Sequence, residues 1–380
     1  MSKLGIGIIG CGNISTAYLT LVPLFKGIEV QAVADINAAA AKEKADEFNV
    51  RAQSVDELLG ADDIDIVVNL TIPEAHFAIT RAILQAGKNA YSEKPLVLTL
   101  KEGHELSAIA NENGLRIGSA PDTFLGGAHQ QARSLIDQGA LGKIVAGTAH
   151  VMSHGMEHWH PNPDFFFLPG AGPMLDIGPY YITNLIQLIG PVKRVAALTT
   201  AASMSRTITS EPRSGETIPV KTPTNIHALL EFEQGATITL STSWDVWAHR
   251  HNNMELYGTE GSLYVPDPNF FGGEVDLIGK DGASAEKPIF QHPFSILNED
   301  HPEGKMANYR AAGLADMAQA IIQNRPHRCS MEMAIHAVDV MTSVLKSGEQ
   351  KEFVNVSTTC ERPAALSAKD ASNLLEEGKT

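Results

Sequence analysis

A chain of 380 residues has room for two domains, or three small ones, at the usual ~100 to 200 residues each, which excludes a small stapled module. Lysine and arginine number 29 against 44 aspartates and glutamates, and the formal charge of −15 opposes a nucleic-acid partner, whose binding protein is normally basic over the contact face. Hydrophobic residues make up 43%, enough for a globular core that needs no staples.

Along the first third, short apolar runs alternate with helical patterns, the signature of βαβ units and a parallel sheet. Strands are predicted at Leu4 to Ile9, Val30 to Ala34 and Ile64 to Leu70, with a short one at Asn89-Ala90-Tyr91 and a later one at Leu115 to Ser119. Helices are predicted at Ser15 to Phe25, Asn37 to Phe48, Glu74 to Ala86 and Leu100 to Asn113. That order is a doubly wound, dinucleotide-binding domain over residues 1–122.

Residues 123–380 read differently. A helix at Ala128 to Gln138, closed by Gly139, leads into strands joined by turn signals. Glu233-Gln234-Gly235 separates Ala228 to Phe232 from Ala236 to Ser243, and Gly258 to Gly261 separates Met254 to Tyr257 from Ser262 to Val265. Lys280-Asp281-Gly282 is a further hairpin-type turn. The expected fold class is therefore α/β, with a largely antiparallel sheet in the second part, covered by helices on one face. Ser203 to Thr224 reads as an exposed loop, and late helices are expected at Tyr309 to Gln323 and Met331 to Lys346, able to pack back toward the first domain.

The three cysteines, Cys11, Cys329 and Cys360, are far apart and show no CxxC pairing, which fits a reducing compartment. Met1-Ser2-Lys3-Leu4 runs directly into an apolar strand without a charged leader, and no apolar stretch reaches the ~18 residues of a membrane span. No membrane partner and a cytoplasmic location are expected.

Gly10-Cys11-Gly12-Asn13-Ile14-Ser15 follows a strand and opens a helix. Gly10 permits a tight turn, and Gly12 lets the backbone approach a pyrophosphate held by the helix N-terminus. Ser15 replaces a third glycine, and a purely structural turn is the alternative. Asp35, at the end of the second strand, can accept hydrogen bonds from ribose hydroxyls and repel a 2′-phosphate, favouring NAD over NADP. It can also cap the following helix, and the two roles are compatible. In Glu93-Lys94-Pro95 the proline favours an extended Lys94, aiming its side chain into the crevice where such sheets bind ligands. Its alternative is a surface Glu-Lys pair. Asp176 and Tyr180, at the end of a glycine-rich loop, are four apart and share one face of an expected helix near its first turn.

Gly10, Gly12, Asn13 and Ile14, then Thr71-Ile72-Pro73-Glu74-Ala75-His76, then Glu93-Lys94-Pro95, then Asp176 and Tyr180 together resemble the Gfo/Idh/MocA oxidoreductases. The resemblance implies a Rossmann domain, an open-faced second domain and a bound nicotinamide dinucleotide. It further implies hydride transfer to or from a secondary alcohol or ketone of a sugar, cyclitol or related polyol, in a homo-oligomer such as a dimer or tetramer. Lys94, Asp176 and Tyr180 are then the catalytic residues. The cofactor residues are Gly10, Gly12, Asn13, Ile14, Asp35, Thr71, Pro73, His76, Glu93 and Lys94. Tyr180 stands where many members carry histidine, and Pro121 to Phe124 lacks the arginine that many members have there. Which of Lys94 and Tyr180 moves the proton stays open. Other expectations are a hydrolase or lyase using transient oxidation, and a non-catalytic dinucleotide-binding sensor.

His154, His158, Trp159 and His160 form a dense cluster before the glycine-rich loop. Imidazoles can bond hydroxyls and an indole can stack on a sugar face, so these residues, with Asp122, are the expected substrate contacts. Loop packing and a metal held by His158, His160 and Glu157 are the alternatives, and no metal is expected. Trp244 and Trp247 read as sheet-face or interface aromatics.

Overall fold

The structure, a computed structural model, describes residues 3–302 and 304–378. Met1 and Ser2, on which the expected lack of a leader partly falls, lie outside the described residues. The run Leu-Gly-Ile-Gly-Ile-Ile has no polar side chain, and it forms β1 (Leu4–Ile9) in the middle of a sheet buried on both faces. In chain order there follow α1 (Asn13–Leu21), β2 (Ile28–Ala34), α2 (Ala38–Phe48), β3 (Arg51–Gln53), α3 (Val55–Gly60), β4 (Ile66–Asn69), α4 (Pro73–Gln85), β5 (Asn89–Ser92), α5 (Leu100–Asn113) and β6 (Ile117–Ser119). The strands pair in parallel in the order β3-β2-β1-β4-β5-β6. The order reverses between β1 and β4, and a crevice opens there at the strands' carboxyl ends.

Local chemistry sets the helix boundaries. α3 and α5 begin with reciprocal capping boxes, Ser54 with Glu57 and Thr99 with Glu102. α1 ends at Leu21, short of the expected Phe25, because Pro23 lacks the amide that an α-helical ladder needs and the chain tightens into a 3₁₀ turn. Asp35 does not cap α2: Asn37 does, its side chain accepting the Ala39 amide.

The second part comprises α6 (Gly127–Asp137), β7 (Ile144–Met152), α7 (Pro173–Asp176), α8 (Gly178–Ile189), β8 (Val192–Thr200), β9 (Ser205–Thr207), β10 (Thr217–Pro219), β11 (Asn225–Phe232), β12 (Thr237–Ser243), β13 (Met254–Gly258), β14 (Gly261–Val265), β15 (Asp276–Gly279), β16 (Glu299–His301), β17 (Gly304–Met306), α9 (Ala312–Gln323), α10 (Met331–Gln350), β18 (Val354–Asn355) and α11 (Ala368–Leu374). Its sheet runs β15-β14-β13-β7-β12-β11-β8-β18 and is antiparallel except where β7 meets β12. α8, buried along its whole length, and α10 cover one face, while Leu198 and Leu229 lie exposed on neighbouring strands. The C-terminal residues return to the first sheet: the Lys26 amide donates to the Leu374 carbonyl at 2.7 Å, and Ser119 donates to Cys329 at 3.1 Å.

Two expectations are corrected. Ser203 to Thr224 is not an exposed loop: it folds into the β9/β10 hairpin, which buries Ile208, Ile218 and Val220 against Phe167 and Trp244. Arg206 fastens it by pairing with Glu157 at 2.9 Å and with Asp245, all three side chains being nearly buried. Nor do Asp176 and Tyr180 share one helix, because the helix breaks at Ile177 between α7 and α8.

Several histidines are locked neutral in this fold. Burial drives His129, His292 and His336 down to about 4. In two of them a ring nitrogen already accepts an amide, Phe294 N–H on His292 and Val192 N–H on His336. The unfolded chain takes up these protons near pH ~6.5 and the folded chain does not, so stability falls as pH drops below that value. Urea unfolding at pH 7 and pH 5 should differ by about 1.4 kcal/mol per pH unit for each ring once below its unfolded pKa. Equal stability at the two values would contradict this assignment.

Candidate active site

The crevice begins at the turn after β1. Gly10 has a φ of 106°, and a Cβ there would meet the Leu70 carbonyl carbon at 2.6 Å, so only glycine lets β1 and the segment after β4 come this close. A Cβ at Gly12 would stand in open space above the turn. α1 starts without a side-chain cap and without an acidic residue in its first turn. Such an end, with no side-chain cap and no acid in the helix's own first turn, fits an anionic pyrophosphate. Ser15 fills the third glycine's place by turning its hydroxyl back to the Gly12 carbonyl at 2.6 Å. Asp35 accepts the Cys11 amide at 2.7 Å and the Asn37 amide at 2.8 Å, which pins its carboxylate at the end of β2 beside the glycine turn. Burial, and then Asp35, push the Cys11 thiol up to about 11, so it stays protonated in the turn.

The segment after β4 is tied down by a buried polar chain. Thr71 donates its hydroxyl to Asn69 at 2.6 Å, and Asn69 donates in turn to the His76 carbonyl and to Thr80. The His76 ring faces the carbonyls of Pro95 at 2.6 Å and Thr71 at 2.9 Å. Burial lowers its pKa, so the neutral ring donates to one of the two at a time. His76 therefore joins the Thr71-Ile72-Pro73 segment to Glu93-Lys94-Pro95.

At the end of β5, Glu93 is buried and accepts from the Tyr18 hydroxyl at 3.0 Å and from the Lys94 amide at 3.1 Å. Lys94 Nζ donates to the Asp176 carboxylate at 2.9 Å and to the Asp176 carbonyl at 2.7 Å. It also lies 5.2 Å from the centre of the Tyr180 ring. Burial works against its charge, but Asp176, Tyr180 and Glu93 outweigh that and hold it above the ordinary lysine range, so it is an ammonium. Asp176 ends α7 and Tyr180 lies in the first turn of α8, and the break between them turns both toward Lys94.

These residues line one cleft of about 440 Å³, which runs from Gly12, Asn13 and Ile14 past Thr71, Pro73 and His76 to Glu93, Lys94, Asp176 and Tyr180. Phe165, Phe166 and Arg310 also line it, and sequence motifs singled out none of the three. The Phe165-Phe166-Phe167 run carried a signal, since three aromatics in a loop seldom stay in water; Arg310 carried none. A larger hollow of about 700 Å³ beside Lys26 and His292 contains none of the motif residues.

The expected substrate contacts fall elsewhere. Asp122 does not line the cleft: it is buried behind it, accepting the Gly313 amide at 3.0 Å, and burial pushes its carboxyl up to about 6. His154 stacks on Trp247 at 3.3 Å, and Trp159 meets the edge of His160 at 5.4 Å. His160 does not line the cleft but packs edge-on against Phe165 and Phe166, which do, at 5.6 and 5.2 Å between ring centres. Glu157 is committed to Arg206, and among the described residues no three His, Cys, Asp or Glu side chains converge as a metal site.

Residues 4–120 match a family described as an oxidoreductase family with an NAD-binding Rossmann fold, and residues 129–264 match the GFO/IDH/MocA C-terminal domain. The chain belongs to the GFO/IDH/MocA oxidoreductases. Among relatives of this family member, an uncharacterised oxidoreductase of Schizosaccharomyces pombe is 28% identical over 52% of the chain, which spans about half (54%) of that protein's length. The trans-1,2-dihydrobenzene-1,2-diol dehydrogenase of Bos taurus is 25% identical over 90% of the chain and 96% of its own. The solved apo form of levoglucosan dehydrogenase superposes with a TM-score of 0.81 over 95% of this chain and all of that one, at 21% identity, a likeness of fold.

Substituting Gly10→Ala should cost about 2 kcal/mol or more, from left-handed strain and the Leu70 contact, and should weaken NADH binding at the turn. Thermal unfolding and NADH fluorescence titration measure the two effects; an unchanged NADH affinity would separate the turn from cofactor binding.

Proposed function

We propose that this enzyme moves a hydride between NAD and a secondary alcohol or ketone of a sugar, cyclitol or related polyol. The observation that carries the reading is the Lys94 ammonium, bonded at 2.9 Å to Asp176 and held over Tyr180, in the cleft that begins at the glycine turn. The nicotinamide cofactor, when bound, supplies the hydride chemistry. Gly10, Gly12, Asn13 and Ile14 take its pyrophosphate, Asp35 its ribose, and Thr71, Pro73, His76 and Glu93 form the wall beside it. Residues 1–122 thus serve the cofactor, and residues 123–380 serve substrate and assembly.

In this reading Lys94 stays charged throughout. It donates a hydrogen bond to the substrate oxygen and stabilises the negative charge that develops there as the hydroxyl proton leaves. Tyr180 relays that proton, its hydroxyl oxygen accepting it as its own proton passes to solvent in the open cleft, and Asp176 holds the lysine in place. The names of the bovine diol dehydrogenase and of levoglucosan dehydrogenase, a sugar enzyme, support a hydroxylated small-molecule substrate. The exposed face carrying Leu198 and Leu229 supports a homo-oligomer, because an open apolar sheet face is unusual on a monomer. No helix among the described residues is long and apolar enough to cross a membrane, and three buried free thiols fit the reducing cytoplasm we propose as its location.

With a panel of polyols and sugars, Lys94→Ala and Tyr180→Phe should each lower kcat by about 100- to 10,000-fold while NADH affinity stays within about twofold. Near wild-type turnover in both would refute the roles. NADH should accumulate stoichiometrically with product; turnover without it would point to a hydrolytic or eliminating enzyme. NAD should be preferred to NADP by at least about tenfold in kcat/KM, since a 2′-phosphate against Asp35 is a like-charge contact. Asp35→Ser should narrow that ratio, and an unchanged ratio would remove Asp35 from cofactor selection.

A further inference from the structure

Arg310 precedes α9 and reaches the same cleft from the far end of the chain. Its backbone amide donates to Asn308, but among the described residues its guanidinium gives no hydrogen bond to a protein acceptor and forms no ion pair. A guanidinium carries five N–H donors in a planar fork, and here they face the cleft, where a ligand's oxygens can take them in place of water. Burial opposes its charge, while Tyr180, Glu93, Asp122 and Tyr18 keep it protonated.

The backbone that delivers it is constrained. Ala311 is fully buried with a φ of 82°, a left-handed conformation that a residue with a Cβ adopts only where its surroundings impose it. Two residues on, Gly313 gives its amide to Asp122, and a Cβ there would come within 2.3 Å of the Tyr91 hydroxyl and 2.9 Å of the Asp122 Cβ. Asp122 therefore anchors the start of α9, and the forced bend at Ala311 sends Arg310 toward Tyr180.

We infer that Arg310 binds substrate, giving two N–H groups to adjacent hydroxyls of a neutral molecule and so selecting a vicinal diol at or beside the reacting carbon. Charge balance favours the neutral ligand. Lys94 already faces Asp176, and Arg310 already has Glu93 and Asp122 nearby, so an incoming carboxylate meets no unbalanced cation. A diol fills the free donors and adds no charge. This inference rests on the redox reading of the cleft, and binding and turnover are measured separately so that either can fail alone.

The probes are cyclohexanol, cyclohexane-1,2-diol and 2-hydroxycyclohexanecarboxylate, titrated into the NADH-bound enzyme and assayed for oxidation with NAD, for wild type, Arg310→Lys and Arg310→Gln. Wild type should bind the diol on the order of 10- to 100-fold more tightly than the mono-alcohol. Arg310→Gln should abolish that preference, Arg310→Lys should keep part of it, and NADH affinity and thermal midpoint should stay near wild type in both. The inference is overturned by a diol preference that survives in Arg310→Gln, by tighter binding of the hydroxy acid, by no probe binding at all, or by a parallel loss of NADH affinity, which would make Arg310 a cofactor residue. Diol binding through Arg310 without oxidation would refute the redox reading alone; oxidation without a diol preference would refute the Arg310 inference alone.

Discussion

The site depends on one ion pair. Lys94 and Asp176 are 82 positions apart, one just past the end of a parallel strand and the other the last residue of a short helix, and they meet at 2.9 Å in the cleft wall. Withdrawing a lysine from water disfavours its charge, and without a partner it would give up its proton. Asp176 reverses that balance with both its carboxylate and its carbonyl, and Glu93 and Tyr180 add to it. The ammonium is therefore a fixed cation in the cleft wall, and in the proposed reaction it would act more strongly on a developing oxyanion than a lysine in water does.

Around that pair the protein supplies rigidity through buried polar chains. Tyr18, Glu93 and the Lys94 amide form one; Asn69, Thr71, His76 and the Pro95 carbonyl form another. Both sit at the carboxyl ends of parallel strands, so the segments that line the cleft are carried on a sheet core that cannot shift without breaking several hydrogen bonds. On the opposite wall, Arg206 holds Glu157 and Asp245 and so fixes the loop that brings Phe165 and Phe166 to the cleft. One wall is positioned by the Rossmann sheet and the other by a hairpin far along the chain.

What could be read from sequence was local. The strand-glycine-helix unit, the alternation that forms β11 and β12, and the Glu93-Lys94-Pro95 segment each carry their structural cause within a few residues. What could not be read depends on contacts between distant segments. Asp122 and Gly313 are 191 positions apart, so nothing near Asp122 shows that its carboxylate is spent on the start of α9. The polar composition of Ser203 to Thr224 suggested a solvated loop, because the acids that hold Arg206 lie 49 and 39 positions away on either side of it. Asp35 was a reasonable cap on spacing, but Asn37 stands closer to the first turn of α2 and leaves Asp35 to the glycine turn.

The central claim is that Lys94 and Asp176 act as a unit. A double-mutant cycle on kcat/KM, built from Lys94→Met, Asp176→Asn and the double variant, tests it most directly. If Asp176 works through the lysine, the double variant will be no slower than Lys94→Met alone. Losses that multiply, with each substitution reducing kcat/KM by the same factor whether or not the other is present, would contradict the account.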